Sequence, residues 1–448
     1  MARTWLRLAV GDWLILAAAV AVRTLVSPFH HTVFPIFAAS AAHWWAGPSL
    51  YRWYPDLDLF RYPPPFAVVV TPFAALGLRA GGILWTWAGM AVYAAGLWRF
   101  ARDVLPAWWT RGRTAAFLAL GAVVALPGLW NAQSNTIVVG LVLLAASSAV
   151  RRRWWVAAFL LAAATWIKLT PLVPALLLCA LWPRRLTPRL LVALAVVALL
   201  PFLTRPGDVV VGHYLEWVTA LAQSNGSRWP GFRDGWTAWM VTRHFFQGNV
   251  GPLPLLAPVD WAGYPALRLG AAAVTLAWCL WQRLRDDEPR RLVQLTLGLG
   301  TAWLMLFGPA VEHPTYTFLA PSLAWALLDW DAWPRGRWLI VTAFALVAVV
   351  GWEPLVHPLL ARLPLLLAAL PVGTALFAVW LIGYARMPVG ESILLPRPTA
   401  VERPVVLAAR AIVVDPLAPA DGLEAVPVPS AVATTNSPRT LPSSRAGG

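Results

Sequence analysis

Apolar residues run along this chain in blocks of about fourteen to twenty, and arginines collect in every second gap between blocks. Each block reads as a helix crossing a bilayer, and the arginine-bearing gaps read as its cytoplasmic side. Spans are expected near 12–27, 82–100, 114–128, 135–150, 154–167, 170–182, 190–203, 263–282, 291–308, 316–332, 338–354 and 364–385. That is about twelve helices with both termini inside. Arg102, Arg111 and Arg113, then Arg151–Arg153, then Arg184, Arg185 and Arg189, then Arg283, Arg285, Arg290 and Arg291, then Arg335 and Arg337, and last Arg386 fill the inner gaps. The apolar run 65–78 breaks the rhythm: if it crossed, every later arginine cluster would change sides. It is expected to re-enter or lie at the interface. Several blocks hold only about fourteen apolar residues, so short, kinked or arginine-flanked helices are expected. No small-residue cleavage site closes the first block, which follows Arg3 and Arg7, so it reads as an uncleaved anchor.

This topology turns two long loops outward, 28–64 and 204–262, together with the turns 129–134, 168–170 and 309–315. Residues 1–386 form one integral-membrane domain. Residues 387–448, rich in Pro, Ala, Ser and Val, are expected to be a disordered cytoplasmic tail. No internal repeat of solenoid type is visible.

Composition agrees with the pattern. The chain is 59% hydrophobic and 12% charged with 29 tryptophans, which excludes a soluble globular domain. A net charge of +15 would suit nucleic acid, but the arginines are scattered through inter-helix turns and form no stripe. Cys179 and Cys279 stand alone in apolar segments, so neither a disulfide framework nor a zinc site is indicated.

The candidate chemistry gathers in the outward segments. Lys168, in "ATWIKLTPLV", is the single lysine of the chain. It either snorkels or offers a point charge to a phosphate. In "NAQSNTIVVG", Asn131, Gln133 and Asn135 either cap a helix or hold sugar hydroxyls and phosphate oxygens. Glu312, His313 and Tyr316, in "GPAVEHPTYTF", place an acid–imidazole pair at the lip of the membrane, where such groups are costly. The two readings there are a local structural pair and a functional one. In the large loop, Arg228, Arg233 and Asp234 lie among Trp229, Trp236 and Trp239; the tryptophans read as interface anchors or as stacking surfaces for sugars. In "YPDLDLFRYPPPF", Asp56 and Asp58 precede Arg61 and Tyr62, and Pro63–Pro65 bars helix until the apolar run begins. Either carboxylate is a candidate general base, against a reading in which an aspartate only pairs with an arginine in a solvated loop.

Taken in order, "GPSLY", "FRYPPPFAVVVTPFAALG", "NAQSNTIVVGLVLLA", "IKLTPLVPALLL" and "GPAVEHPTYTFLAPSLAWAL" resemble glycosyltransferase family 87 over roughly residues 12–385. The resemblance implies an all-α polytopic membrane protein of the GT-C fold with its site in extracytoplasmic loops. It implies a bacterial inner-membrane mannosyltransferase with a polyprenyl-phosphate-linked sugar donor, a lipid or glycan acceptor and inverting direct displacement, without a nucleotide-sugar pocket. The outward-facing residues hold no acidic cluster with metal-ligand spacing, so no metal is expected, and neither a cofactor nor nucleic acid is expected. The family's late-turn histidine falls on His313, its amide motif on Gln133 and Asn135, and its lysine–proline motif on Lys168. The site then comprises Asp58, Asp56, His31 and His313 for catalysis. Lys168, Arg228, Arg233 and His313 serve the donor phosphate, and Asn131, Gln133, Asn135, Tyr62, Glu312 and Tyr316 serve sugar or acceptor. One departure stands out. The family carries an acidic base after the first span, and here "SPFHHTVFPIFAASAAHWWAGPSLY" offers His30, His31 and His43 but no acid. Asp56, Asp58 or His31 replaces that base, or the chain is an inert relative that binds lipid-linked glycan. A transporter is a third possibility, and it lacks the paired broken helices such folds use.

Overall fold

The structure is a computed structural model. It describes residues 2–30, 32–55, 57–106, 109–223, 236–238, 263–285, 288–309, 311–350, 358–359, 362–363, 366 and 368–387. Regular structure among these residues is helical throughout: α1 (Ala2–Val26), α2 (Phe34–Ala46), α3 (Pro64–Ala74), α4 (Gly77–Asp103), α5 (Arg111–Trp130), α6 (Asn135–Val150), α7 (Trp154–Ile167) and α8 (Leu172–Leu181). There follow α9 (Pro183–Leu199), α10 (Gly207–Gln223), α11 (Tyr264–Arg285), α12 (Pro289–Phe307), α13 (Ala320–Leu328), α14 (Arg337–Val350) and α15 (Ala369–Ala385). The chain is an all-α, multi-pass membrane protein. Four segments among the described residues, Leu6–Val26, Gly77–Asp103, Arg111–Trp130 and Pro183–Leu203, are long and apolar enough to cross a bilayer by length and composition alone. Others, such as α6, α7 and α8, have 10–17 residues, so helix length does not settle the number of crossings.

Two sets of contacts define opposite ends of the bundle. At one end Arg79 Nε donates to the Leu25 carbonyl (3.1 Å), joining the start of α4 to the end of α1. There too the Val33 N–H donates to the Asn131 carbonyl (3.0 Å), and Lys168 after α7 meets Asn135 at the start of α6 (2.8 Å). At the other end Asp103, closing α4, takes Arg99 and Arg102 at 3.1 Å each and Arg151, just after α6, at 3.7 Å. Beside it Arg283 donates to the Ala180 carbonyl (2.9 Å) and Gln294 to that of Val104 (2.9 Å). Helices α4 and α6 both run from the first end to the second. α3 therefore starts and stops at the first end, between α1 and α4. Its 11 residues rise only about 16 Å, half the hydrocarbon thickness of about 30 Å.

α4 and α6 lie side by side, parallel, with almost no gap. A Cβ on Gly140 would sit 2.5 Å from the Val92 carbonyl oxygen, and one on Gly96 would sit 2.7 Å from the Gly140 carbonyl. Only glycine admits backbones this close, and small residues at such contacts are how helices associate where lipid supplies no hydrophobic drive.

Two expectations need correction. The outward segments 28–64 and 204–262 are not loops throughout, since α2 and α10 occupy parts of both. Span 316–332 is a 3₁₀ turn, His313–Phe318, followed by the nine-residue α13. α10 escapes a search for long apolar blocks because Asp208, His213 and Glu216 interrupt its apolar residues. Val210, His213 and Trp217 are buried at a three-and-four spacing, while Val211, Leu215 and Val218 face outward. The expected tail, except its first residue, lies outside the described residues.

Candidate functional site

The polar residues of the first end converge on the turn between α5 and α6. Pro127 sits in the last turn of α5, and the chain reverses through Ala132, which holds a left-handed φ of 51°. An alanine there carries a local cost of about 1–2 kcal/mol. Trp85 Nε1 steadies the turn by donating to the Ala132 carbonyl (3.0 Å), and the Gln133 N–H donates to that of Gly128 (2.9 Å). The reversal puts Gln133, Ser134 and Asn135 in buried positions at the head of α6.

These amides do not cap the helix. Ser134 is the N-cap residue and makes no side-chain capping bond. Asn135, fully buried, instead accepts from Lys168 Nζ at 2.8 Å and donates through Nδ2 to the Pro314 carbonyl at 2.8 Å. Gln133 makes longer contacts, accepting from the Tyr62 hydroxyl (3.4 Å) and donating to Glu312 Oε2 (3.5 Å). Contacts at that length are weak, so the two 2.8 Å bonds of Asn135 carry the arrangement. Lys168 therefore points inward to a buried amide and does not snorkel. It stands in the turn between α7 and α8, where burial pulls its pKa down while the Glu312 carboxylate pulls it up. Burial also raises the Tyr62 phenol, which stays a neutral donor to Gln133.

The late turn is built as a 3₁₀ helix. The Glu312 N–H donates to Thr315 Oγ1 (3.2 Å), and the Thr315 N–H returns to the Glu312 carbonyl (2.9 Å). His313 is buried, with its ring centroid 3.6 Å from that of Trp236. Trp236 is tied twice more, its N–H donating to the Val311 carbonyl (3.1 Å) and its carbonyl accepting from the Tyr316 hydroxyl (2.7 Å). Tyr316, buried behind the turn, thus acts as a brace. The segment 236–238 of the second outward region is pinned to the His313 turn in this way.

Not every expected residue joins this group. Asp58 is exposed on the 49–62 segment, its Oδ1 accepting from the Leu59 N–H next to it (3.0 Å). Asn131 lies beside the site and contributes its backbone carbonyl. Asp56, His31, Arg228, Arg233, Asp234, Trp229 and Trp239 lie outside the described residues. One pair went unnoticed in the sequence: His213 and Glu216, three apart on α10, with His213 Nδ1 3.4 Å from Glu216 Oε2. Glu216 Oε2 also accepts from Ser49 Oγ (2.9 Å). An i, i+3 acid–histidine pair is legible only once the segment is known to be helical. Among the described residues no three His, Cys, Asp or Glu side chains converge as metal ligands would.

A buried lysine–amide–acid cluster, with a histidine packed at a tilt on a tryptophan, forms a polar site at one end of the helical bundle. The model described as glycosyltransferase family 87 matches residues 60–309, and the chain belongs to that family. No curated protein matches the chain by sequence. Among solved structures the chain is similar to ArnT from Cupriavidus metallidurans bound to undecaprenyl phosphate, at 17% identity with a TM-score of 0.34, covering 83% of this chain and 77% of that one. The apo state of the same protein is similar at 17% identity with a TM-score of 0.35, over 85% and 78% of the two chains.

Proposed function

We propose that this protein transfers a sugar, with mannose as the expected one, from a polyprenyl-phosphate donor to a lipid or glycan hydroxyl on the extracytoplasmic side of the bacterial inner membrane, using a GT-C-type scaffold. The observation that carries the reading is the 2.8 Å bond between Lys168 Nζ and the buried Asn135, beside Glu312 and His313. An ammonium has three N–H donors. Asn135 takes one, and two remain for the oxygens of a phosphate leaving group as its charge develops. Glu312 offsets part of the cost of burying that ammonium, and with Gln133 and Tyr62 it offers acceptors and donors suited to sugar hydroxyls. His313, packed at a tilt against Trp236, stands next to Glu312 as a further donor toward the phosphate. Arg228 and Arg233 belong to the same proposal as additional phosphate contacts. The reaction also requires a group to take the proton of the attacking hydroxyl; Asp58, Asp56 and His31 are the residues put forward for it from the sequence.

The test is reconstitution of the full chain in vesicles with polyprenyl-phosphate-mannose and a bacterial lipid extract as acceptor. Transfer that is lost in Lys168→Met and His313→Ala, with membrane insertion intact, is the expected result. Transfer at the wild-type rate in both variants would show that the phosphate site is misplaced. Binding of the lipid-linked sugar without any turnover would favour the inert-relative reading.

A further inference from the structure

Displacement of a phosphate by a hydroxyl leaves a proton that must go to a base, and an efficient base is held in place while staying open to the incoming group. The described carboxylates of the site end meet that requirement unequally. Glu312 is engaged with Gln133 and faces Lys168, on the side assigned to the leaving group. Asp58 is open, but its one oriented oxygen serves the adjacent backbone N–H in an exposed segment. Glu216 is both held and open. It rides on the 17-residue α10, its Oε2 is fixed by Ser49 Oγ at 2.9 Å and His213 Nδ1 at 3.4 Å, and its side chain remains 45% exposed.

The histidine is oriented in turn. A carboxylate can only accept, so His213 donates from Nδ1–H. Its Nε2 is buried with no hydrogen-bond partner, so Nδ1 is the ring nitrogen that is engaged. Trp44 packs on the ring with centroids 5.3 Å apart, and Trp44 Nε1 donates to Thr204 Oγ1 (3.2 Å), so the ring is clamped between α2 and the start of the α10 segment. A buried imidazole held against one carboxylate oxygen is an orienting device. The 49–62 segment carries this assembly to the lysine cluster. Ser49 binds Glu216, the Tyr51 hydroxyl donates to the Tyr62 carbonyl (2.9 Å), and the Tyr62 hydroxyl donates to Gln133. Trp217, next along α10, donates to the Arg61 carbonyl (3.4 Å) and closes the same wall.

We infer that Glu216 is the base for the acceptor hydroxyl, with His213 and Ser49 as its positioning residues. In the step, the acceptor O–H bond breaks and its proton passes to the free carboxylate oxygen, Oε1. The acceptor oxygen bonds to the anomeric carbon, and the carbon–oxygen bond to phosphate breaks with its electron pair leaving on the phosphate, beside Lys168. The inference rests on the sugar-transfer reading above and names its acceptor side.

The experiment uses the full chain in vesicles with polyprenyl-phosphate-mannose and the bacterial lipid extract, comparing wild type, Glu216→Gln, Glu216→Asp, His213→Phe, Asp58→Asn and Lys168→Met. Glu216→Gln keeps an acceptor for Ser49 and should unfold at the wild-type temperature. Its kcat should fall roughly 10²-fold or more with KM for the donor unchanged, the signature of a group that acts in the transition state. Glu216→Asp should recover part of the loss. His213→Phe, which keeps the packing on Trp44, should lower kcat by about tenfold at unchanged donor KM, an effect a merely structural ring would not have. Turnover by Glu216→Gln within about threefold of wild type, with Lys168→Met inactive, overturns the assignment and leaves the donor side standing. Loss in Asp58→Asn with Glu216→Gln fully active moves the role to Asp58. A wild-type chain that transfers no sugar from the lipid phosphate removes the functional reading, and this base with it.

Discussion

Replacing Lys168 by methionine removes one charge from a position where the surroundings are well defined, so its effect can be worked out. Two N–H groups are free for a ligand once Asn135 has taken the third. A hydrogen bond from an ionised donor contributes about 1.5–3 kcal/mol, and one aimed at charge that builds in the transition state reaches about 2.7–4 kcal/mol. At 1.4 kcal/mol per decade this is a loss of about 10²- to 10³-fold in kcat/KM. The charge also has a pH signature. Burial lowers the Lys168 pKa, with Glu312 opposing the shift. Below the lowered value the ammonium is present, and above it the neutral amine can no longer stabilise the leaving group. Transfer should therefore fade on the alkaline side at a lower pH than an ordinary lysine would dictate. In Lys168→Arg the guanidinium stays charged, so that limb should move upward even though the longer side chain loses its fit to Asn135. Stability runs the other way. The unfolded chain binds this proton more tightly than the folded one, so the group's contribution to stability rises with pH between the lowered and the ordinary lysine value. The assay is initial transfer rate against pH for the wild type and both variants. A methionine variant within about threefold of wild type, or an arginine variant with the same alkaline limb, refutes the reasoning.

Removing the Tyr316 hydroxyl as phenylalanine leaves the buried Trp236 carbonyl without its 2.7 Å donor and should destabilise the protein by about 1–3 kcal/mol, read as thermal unfolding in detergent. Unchanged unfolding together with weaker donor binding would instead return Tyr316 to the sugar side. Gly140→Ala drives a methyl group against the Val92 carbonyl and should cost about 1–3 kcal/mol; an unshifted unfolding temperature would mean the two helices part freely. Asp103→Asn leaves three arginines around a neutral amide. Because those arginines are 26–43% exposed, the loss should be only about 1–2 kcal/mol, checked by the same melt and contradicted by no change in low salt.

The parts of the fold legible in the sequence were those fixed by blocks of apolar residues. Spans expected at 135–150 and 154–167 coincide with α6 and α7, because arginine turns and a polar head delimit both. α2 and α10 were illegible for the opposite reason. They are short or one-sided, and their aromatic and polar residues read as loop. In the site, Lys168, Gln133, Asn135, Glu312 and Tyr62 stood out as polar groups in apolar surroundings, and the structure brings all five together. Their partners could not be read, since Asn135 reaches Pro314 across 179 residues and nothing local encodes that distance. His213 and Glu216 were missed because a pair three apart is a pair only on a helix.

The glycine contact of α4 with α6 bears on how the site behaves over time. Asn135 is the first residue of a rod whose flank is fused, backbone to backbone, with a neighbour of 27 residues. Such a rod cannot tilt or slide alone, so the Asn135 side-chain oxygen that accepts from the ammonium is set in direction before any lipid arrives. Reorganisation that a solvent would undergo in each turnover has here been completed once, during folding. Motion needed to admit the acceptor must then come from the other wall, where Ser49 and α10 are joined to the rod through long, weak contacts at Tyr62.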